Sequence, residues 1–342
     1  LFHFYSQKHL QLDTYSKFNY MNMVKRDICI DILKFFAVLL ITNSHMELLY
    51  GKYSMLATGG AIGDVLFFFC SGYTLFLGRE RRFDNYYKRR INRIYPTVIM
   101  WALLSSAFFN RHSDMIDIVF NGGGWFVTCI MIYYVILHLI RKFAFNHLKT
   151  VLGISLLVSL MWYLVIDKPI GYNMYGATYF KWCHYFSFML LGAILGVRKS
   201  VDKVSLWKDS SLMLGCVVVF YSILFMGRKI PLIHDLQVVS LIPLMGVTYY
   251  FYKMCNSEQL KTLYQSKWIG PVMKTISGLC LEVYLVQSVL FTDRFNSWFP
   301  FNIFIMFVVI LIVAYILRCL ARWFSQTFRE GDYEWKIIFK LY

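Results

Sequence analysis

An all-α, polytopic membrane bundle of about ten transmembrane helices, with both termini cytoplasmic, is the fold class this sequence predicts. Three observations carry that expectation. The 342 residues are 58% hydrophobic and only 16% charged, where ordinary soluble domains have about 45–50% and about 25%. Mean hydropathy is accordingly +0.52. Apolar stretches of near-span length recur along the whole chain, and basic residues collect in alternate loops.

The spans are expected at 28–48, 57–78, 94–110, 121–140, 149–166, 178–196, 211–227, 234–252, 268–291 and 300–324. Each approaches the ~20 residues that cross ~30 Å of hydrocarbon. Pro96, Pro271 and Pro300 fall near helix starts, where a missing N–H costs little. Pro169 and Pro231 fall in loops, and Pro243 alone sits inside a span. With the N-terminus inside, the outer loops hold only Lys52, Arg111, Lys168, Arg228, Lys229 and Arg294. The remaining Lys and Arg, Lys253 and Arg318 among them, fall on the inner side, while Lys34, Lys181 and Lys274 stay within spans. This positive-inside pattern accounts for the net charge of +16 and argues against a nucleic-acid partner.

Residues 26–324 read as one transmembrane domain and 325–342 as a cytoplasmic tail. Residues 1–25 read as an N-terminal extension that is not native or is poorly ordered. Met21 or Met23 would be a natural start, and "LFHFYSQKHLQLDTYSKFNY" has neither the apolar core nor the cleavage site of a signal peptide. The eight cysteines form no CxxC pair and sit mostly one to an apolar run. They read as small apolar residues rather than disulfide or zinc ligands. No cluster has metal-ligand spacing, so no metal is expected. No loop exceeds about 15 residues, so any chemistry belongs to the bundle.

The first span, "DILKFFAVLLITNSH", carries Lys34 near its start and His45 at its end. Eleven helical residues advance three turns plus about 20°, so the two side chains share a face about 16 Å apart along the axis. Asp31 and Ile41 lie on the same stripe. Ionisable residues within a span are costly and usually face a bundle interior or a water-filled path. A plain Asp31–Lys34 ion pair with an interfacial His45 explains the stripe as well. The segment "RERRFDNYYKRRINRIYP" (79–96) is the densest basic stretch. Much of it is the positive-inside effect, yet Arg90 and Arg93 are three apart and share a helix face. Arginines so placed can grip phosphates bidentately, which lysines cannot.

Taken together, these features resemble the membrane-bound acyltransferase type 3 family, which includes O-acetyltransferases of bacterial surface polysaccharides. The family carries Arg-x10-His in its first helix and Arg-x-x-Arg at the start of its third. "KFFAVLLITNSH" matches the first with Lys34 in place of arginine, and "RINR" matches the second at Arg90 and Arg93. "DILK", "GDVLFFFCSGYTLF" (63–76), "GWFVTCIMIYY" (124–134) and "ISGLCLEVYLVQ" (276–287) resemble further family segments, in order, from about residue 26 to about 324. Two departures stand out. Lys34 keeps the charge but lacks the planar guanidinium fork, and Gln287, where many members have histidine, cannot act as a base.

The resemblance implies an integral O-acyltransferase of the bacterial cytoplasmic membrane. Acetyl-CoA serves as cosubstrate and no cofactor is held permanently. The implied partners are acyl-CoA, a glycan or lipid-linked saccharide acceptor, the bilayer and possibly a second copy of the chain. Lys34, Arg90 and Arg93 would hold the donor. His45 would be the base, a role suited to its ordinary pKa of about 6.5. Asp31, Asp64, Glu282 and Trp125 are supporting candidates. Asp64 is expected level with His45, where it could orient the imidazole. Glu282 needs a partner, with Lys181 or His184 expected. Trp125, Trp182 and Tyr284 could form a sugar platform. His112, His138, His147 and His234 receive no role. A transporter or flippase for a lipid-linked glycan is the rival reading, and it predicts internal repeats and helices broken near the midplane. A membrane glycosyltransferase, a further rival, would usually want acidic residues in a large outer loop.

Overall fold

The computed structural model describes residues 27–342 except 79, 110–113, 170–171, 177, 199–202 and 228. The extension expected at 1–25 lies outside the described residues. Each of the ten apolar runs holds a helix, and no described residue is in a strand. The principal helices are α1 (Ile28–Ser44), α2 (Gly60–Leu77), α3 (Phe83–Phe109), α4 (Gly124–Phe143), α5 (Leu148–Val165) and α6 (Lys181–Val197). They continue with α7 (Leu206–Gly227), α8 (Leu241–Cys255), α9 (Ile269–Gly278), α10 (Cys280–Leu290), α11 (Phe301–Thr327) and the short α12 (Trp335–Ile338).

Six of the described helical segments are long and apolar enough to cross a membrane, or up to eight if each of two bent pairs counts as one span. The runs at 94–110 and 178–196 add α3, whose first three turns are strongly basic, and α6, which has 17 residues. Large apolar side chains such as Leu157, Val165, Trp207 and Phe304 remain exposed on α5, α7 and α11. Such a belt suits hydrocarbon rather than water.

α1 is the central element, flanked by α2, α8, α9 and α10. Asp27 starts it as N-cap, accepting from the Cys29 N–H at 3.0 Å. The chain then bends by 64° into the segment Glu47–Leu56. Asn43 fixes that turn. Its Nδ2 donates to the carbonyls of Leu56 and Thr58, both at 2.9 Å, while the Tyr50 hydroxyl donates to its Oδ1 at 2.6 Å.

The contact of α2 with α6 depends on glycine. A Cβ added at Gly72 would lie 1.8 Å from the Met189 carbonyl oxygen, and one at Gly192 would lie 2.0 Å from that of Phe69. Small residues let two membrane helices approach to backbone contact.

Several sequence expectations need correction. Pro96 does not start a helix but sits inside α3. The basic stretch before it is helical without being apolar, because Arg and Lys are good helix formers. Pro243 is in the first turn of α8, where a missing N–H is harmless. Lys253 is paired with the buried Asp209 at 2.8 Å, and Arg318 is 8% exposed inside the bundle. Both are helix residues held in buried pairs rather than free loop charges. The expected span at 268–291 is broken by 77° between α9 and α10. Gly278 and Leu279 close α9 there, the Leu279 N–H donating to Thr275 and Ile276 carbonyls.

The tail does not trail away. α12 folds back on α11, where Ile338 is buried, the Tyr315 hydroxyl donates to the Phe339 carbonyl at 2.8 Å, and Arg322 donates to those of Ile337 and Ile338 at 3.0 and 3.2 Å.

Candidate active site

A cavity of about 1180 Å³ runs through the bundle along α1. Its wall reaches from Asp27 to Thr42, a span of about 22 Å at the helical rise. It exceeds the ~300–1,000 Å³ of ordinary small-molecule sites, which suits a long ligand.

One end is rich in cations. Lys34 from α1, Arg90 and Arg93 from α3, Arg318 and Arg322 from α11, and Arg329 just after it all line the cavity. No described residue gives Lys34 or Arg93 a hydrogen bond or an ion pair. Arg90 is held by aromatic faces, its guanidinium carbon 5.6 Å from the Tyr86 ring and 5.6 Å from the Tyr134 ring. Its Nε is buried without a partner. Arg82, outside the spans, is already engaged. Hydrogen bonding from Arg82 holds the Asp84 carboxyl down at about 2. The structure therefore brings the three expected donor-binding residues to the wall of one cavity.

The acids at this end are satisfied within the protein. The Tyr264 hydroxyl donates to Asp31 at 2.5 Å. Glu282 accepts from Arg318 in a two-pronged contact, Nε to Oε1 at 3.2 Å and Nη2 to Oε2 at 3.1 Å. Neither Lys181 nor His184 is its partner. The His184 Nε2 is 3.2 Å from the Met174 carbonyl, and the Lys181 ammonium stands 3.9 Å over the Trp125 ring. Arg318 also donates to the carbonyls of Gly278 and Leu341. It thus caps the end of α9, whose last carbonyls lack helical partners. Sequence reasoning counts Arg318 with the inner-side charges and so gives it no role in the site.

At the other end the arrangement is looser. His45 is exposed at the bend after α1 and lies just beyond the cavity wall, while Thr42, one turn earlier, is part of it. Asp64 and Tyr284 also line this end. Asp64 accepts from the Tyr185 hydroxyl at 3.3 Å and makes no hydrogen bond to His45. The expected orientation of the imidazole by Asp64 is therefore not what the structure shows. Trp125 stacks on Tyr185 with centroids 5.8 Å apart and lies outside the cavity wall, as does Trp182. Thr42 and Gln287 are wall residues that sequence reasoning gave no binding role. Among the described residues, no group of three His, Cys, Asp or Glu is placed to hold a metal ion.

The arrangement is a long cavity beside α1, cationic at one end, with His45 three residues past Thr42, the last α1 residue of its wall, at the other. A family model described as an acyltransferase domain matches residues 27–319, most of the chain, with Lys34, His45, Arg90 and Arg93 inside the match. No curated protein and no solved structure matches it. The chain belongs to the acyltransferase type 3 family, as the ordered motifs of its first, third and later helices indicate.

Proposed function

We propose that this protein is a multi-pass O-acetyltransferase that moves an acetyl group from acetyl-CoA to a sugar hydroxyl. The acceptor is a cell-surface polysaccharide or its lipid-linked precursor. The observation that carries this reading is the single cavity joining Lys34, Arg90 and Arg93 to the turn below His45. Phosphates dock at the cationic end, where arginine supplies charge-assisted hydrogen bonds. The donor's flexible arm follows α1. Thr42 lies three residues before His45, about 4.5 Å along the axis, so a thioester leaving the cavity there meets the imidazole. His45 takes the proton of the sugar hydroxyl as that oxygen bonds to the thioester carbonyl carbon. The C–S bond then breaks, and the thiolate leaves and is protonated. Such base assistance contributes about 10²–10⁴ in rate.

Ten spans with both termini cytoplasmic, in the bacterial inner membrane, complete the proposal. The alternation of basic and poor loops supports it. It puts the cationic end on the cytoplasmic side, where acyl-CoA is found, and His45 on the outer side.

The break between α9 and α10 is the observation that favours a transporter, whose substrate sites are built from discontinuous helices. Here Arg318 donates to the Gly278 carbonyl at that break, so a protein side chain rather than a coupling ion serves it. The deciding experiment uses the purified chain in detergent with radiolabelled acetyl-CoA and an extracted glycan. Label transfer that is lost in His45→Ala and needs far more donor in Arg93→Ala supports the acetyltransferase. A folded wild type that neither binds nor consumes acetyl-CoA sinks it and leaves the transporter.

A further inference from the structure

The cavity wall contains two buried polar side chains that the protein itself does not satisfy. Thr42 is 1% exposed and Gln287 is 3% exposed. The Thr42 Oγ1 and the Gln287 Oε1 are both sealed and without a hydrogen-bond partner. They come from α1 and α10, elements far apart in sequence, and both line the cavity. Burying such groups unpaired is destabilising, and native proteins rarely do so without a reason. The neighbouring polar groups show the contrast. Asp31 has Tyr264, Glu282 has Arg318, and Asp64 has Tyr185.

The chemistry of the missing partner can be read from the two side chains. Both are neutral, so an anion has better sites among the arginines. A threonine hydroxyl donates and accepts one bond each way, and a glutamine carboxamide carries a donor and an acceptor. A secondary amide, with one N–H and one C=O, is complementary to that pair in either orientation of the carboxamide. The position fits as well. Thr42 lies eight residues beyond Lys34 on α1, about 12 Å from the cation along the axis. Between its phosphates and its thioester, coenzyme A carries a flexible arm with two amides.

We propose that Thr42 and Gln287 grip an amide of the donor's arm, the hydroxyl donating to its carbonyl and the glutamine Oε1 accepting from its N–H. This rests on acetyl-CoA being the donor. The grip sets how far the thioester projects toward His45, so these two residues hold the acyl group in register.

The test compares wild type, Thr42→Val and Gln287→Leu in detergent, measuring binding of two ligands and the melting temperature. The ligands are acetyl-CoA and phosphoadenosine diphosphate, the arm-free nucleotide end of the same molecule. Each substitution is expected to weaken acetyl-CoA about tenfold while leaving nucleotide binding within about twofold. Each is also expected to raise the melting temperature of the unliganded protein, since an apolar group replaces an unpaired polar one. Unchanged acetyl-CoA affinity, equal weakening of both ligands, or a lowered melting temperature overturns the inference. So does a wild type that binds the nucleotide no less tightly than acetyl-CoA. A wild type that binds neither ligand overturns the donor reading itself, and the inference with it.

Discussion

Replacing Glu282 with leucine leaves the Arg318 guanidinium buried without its carboxylate. Removing one partner of a buried pair costs about 3–5 kcal/mol, because an uncompensated charge remains. Both members are more than nine-tenths buried, so screening does not soften the loss. Adding Arg318→Leu removes the stranded charge. What then remains unsatisfied are the Gly278 and Leu341 carbonyls that Arg318 also served, at about 1 kcal/mol each. The double variant should therefore be more stable than Glu282→Leu alone by roughly 1–3 kcal/mol, while still below wild type. In a chain of this size that is a shift of a few degrees, at about 2 °C per kcal/mol. Thermal unfolding in detergent, followed by tryptophan fluorescence, reads the order directly. A double variant that melts below Glu282→Leu would refute the pairing as the element that closes the α9–α10 break.

Other outcomes follow from the same geometry. Gly72→Val should fail to give folded protein, because its Cβ would sit against the Met189 carbonyl oxygen at 1.8 Å; size-exclusion chromatography of the solubilised variant shows this as loss of the monodisperse peak. His45→Ala should lower kcat by about 10²–10⁴ with acetyl-CoA affinity retained, checked by turnover alongside calorimetric binding. Arg93→Ala should raise the KM for acetyl-CoA about tenfold with kcat nearly unchanged, and Arg93→Lys should recover only part of it, since lysine lacks the fork. Thr42→Val and Gln287→Leu should lose acetyl-CoA affinity and gain thermal stability together.

Much of the fold and half of the site can be read from residues alone, for identifiable reasons. Apolar runs of span length become helices because backbone groups in hydrocarbon must bond within their own segment. Lys34, Arg90 and Arg93 reach one cavity because their spacings obey the helical repeat. What sequence cannot supply is the identity of partners across the bundle. Arg318 looks like one more inner-side cation until it is seen to meet Glu282, 36 residues away. Pro96 looks like a helix start because the turns before it are basic rather than apolar. The α9–α10 break has only Gly278 as a local sign, and glycine is common in membrane helices. Thr42 looks ordinary, and Gln287 only a departure from the family pattern, until both are seen as unpaired polar residues of the cavity wall.

The docking of the tail has a consequence for how this protein tolerates change. Tyr315, Arg318 and Arg322 all hold the tail by carbonyl oxygens, those of Ile337, Ile338, Phe339, Lys340 and Leu341. A carbonyl is the same whatever side chain it belongs to. Residues of the tail other than the buried Ile338 and the cavity-lining Ile337 and Tyr342 can therefore drift with little loss of attachment, while the three gripping side chains on α11 cannot. Sequence variation around this contact should be lopsided, permissive on the tail that is held and strict on the helix that holds it.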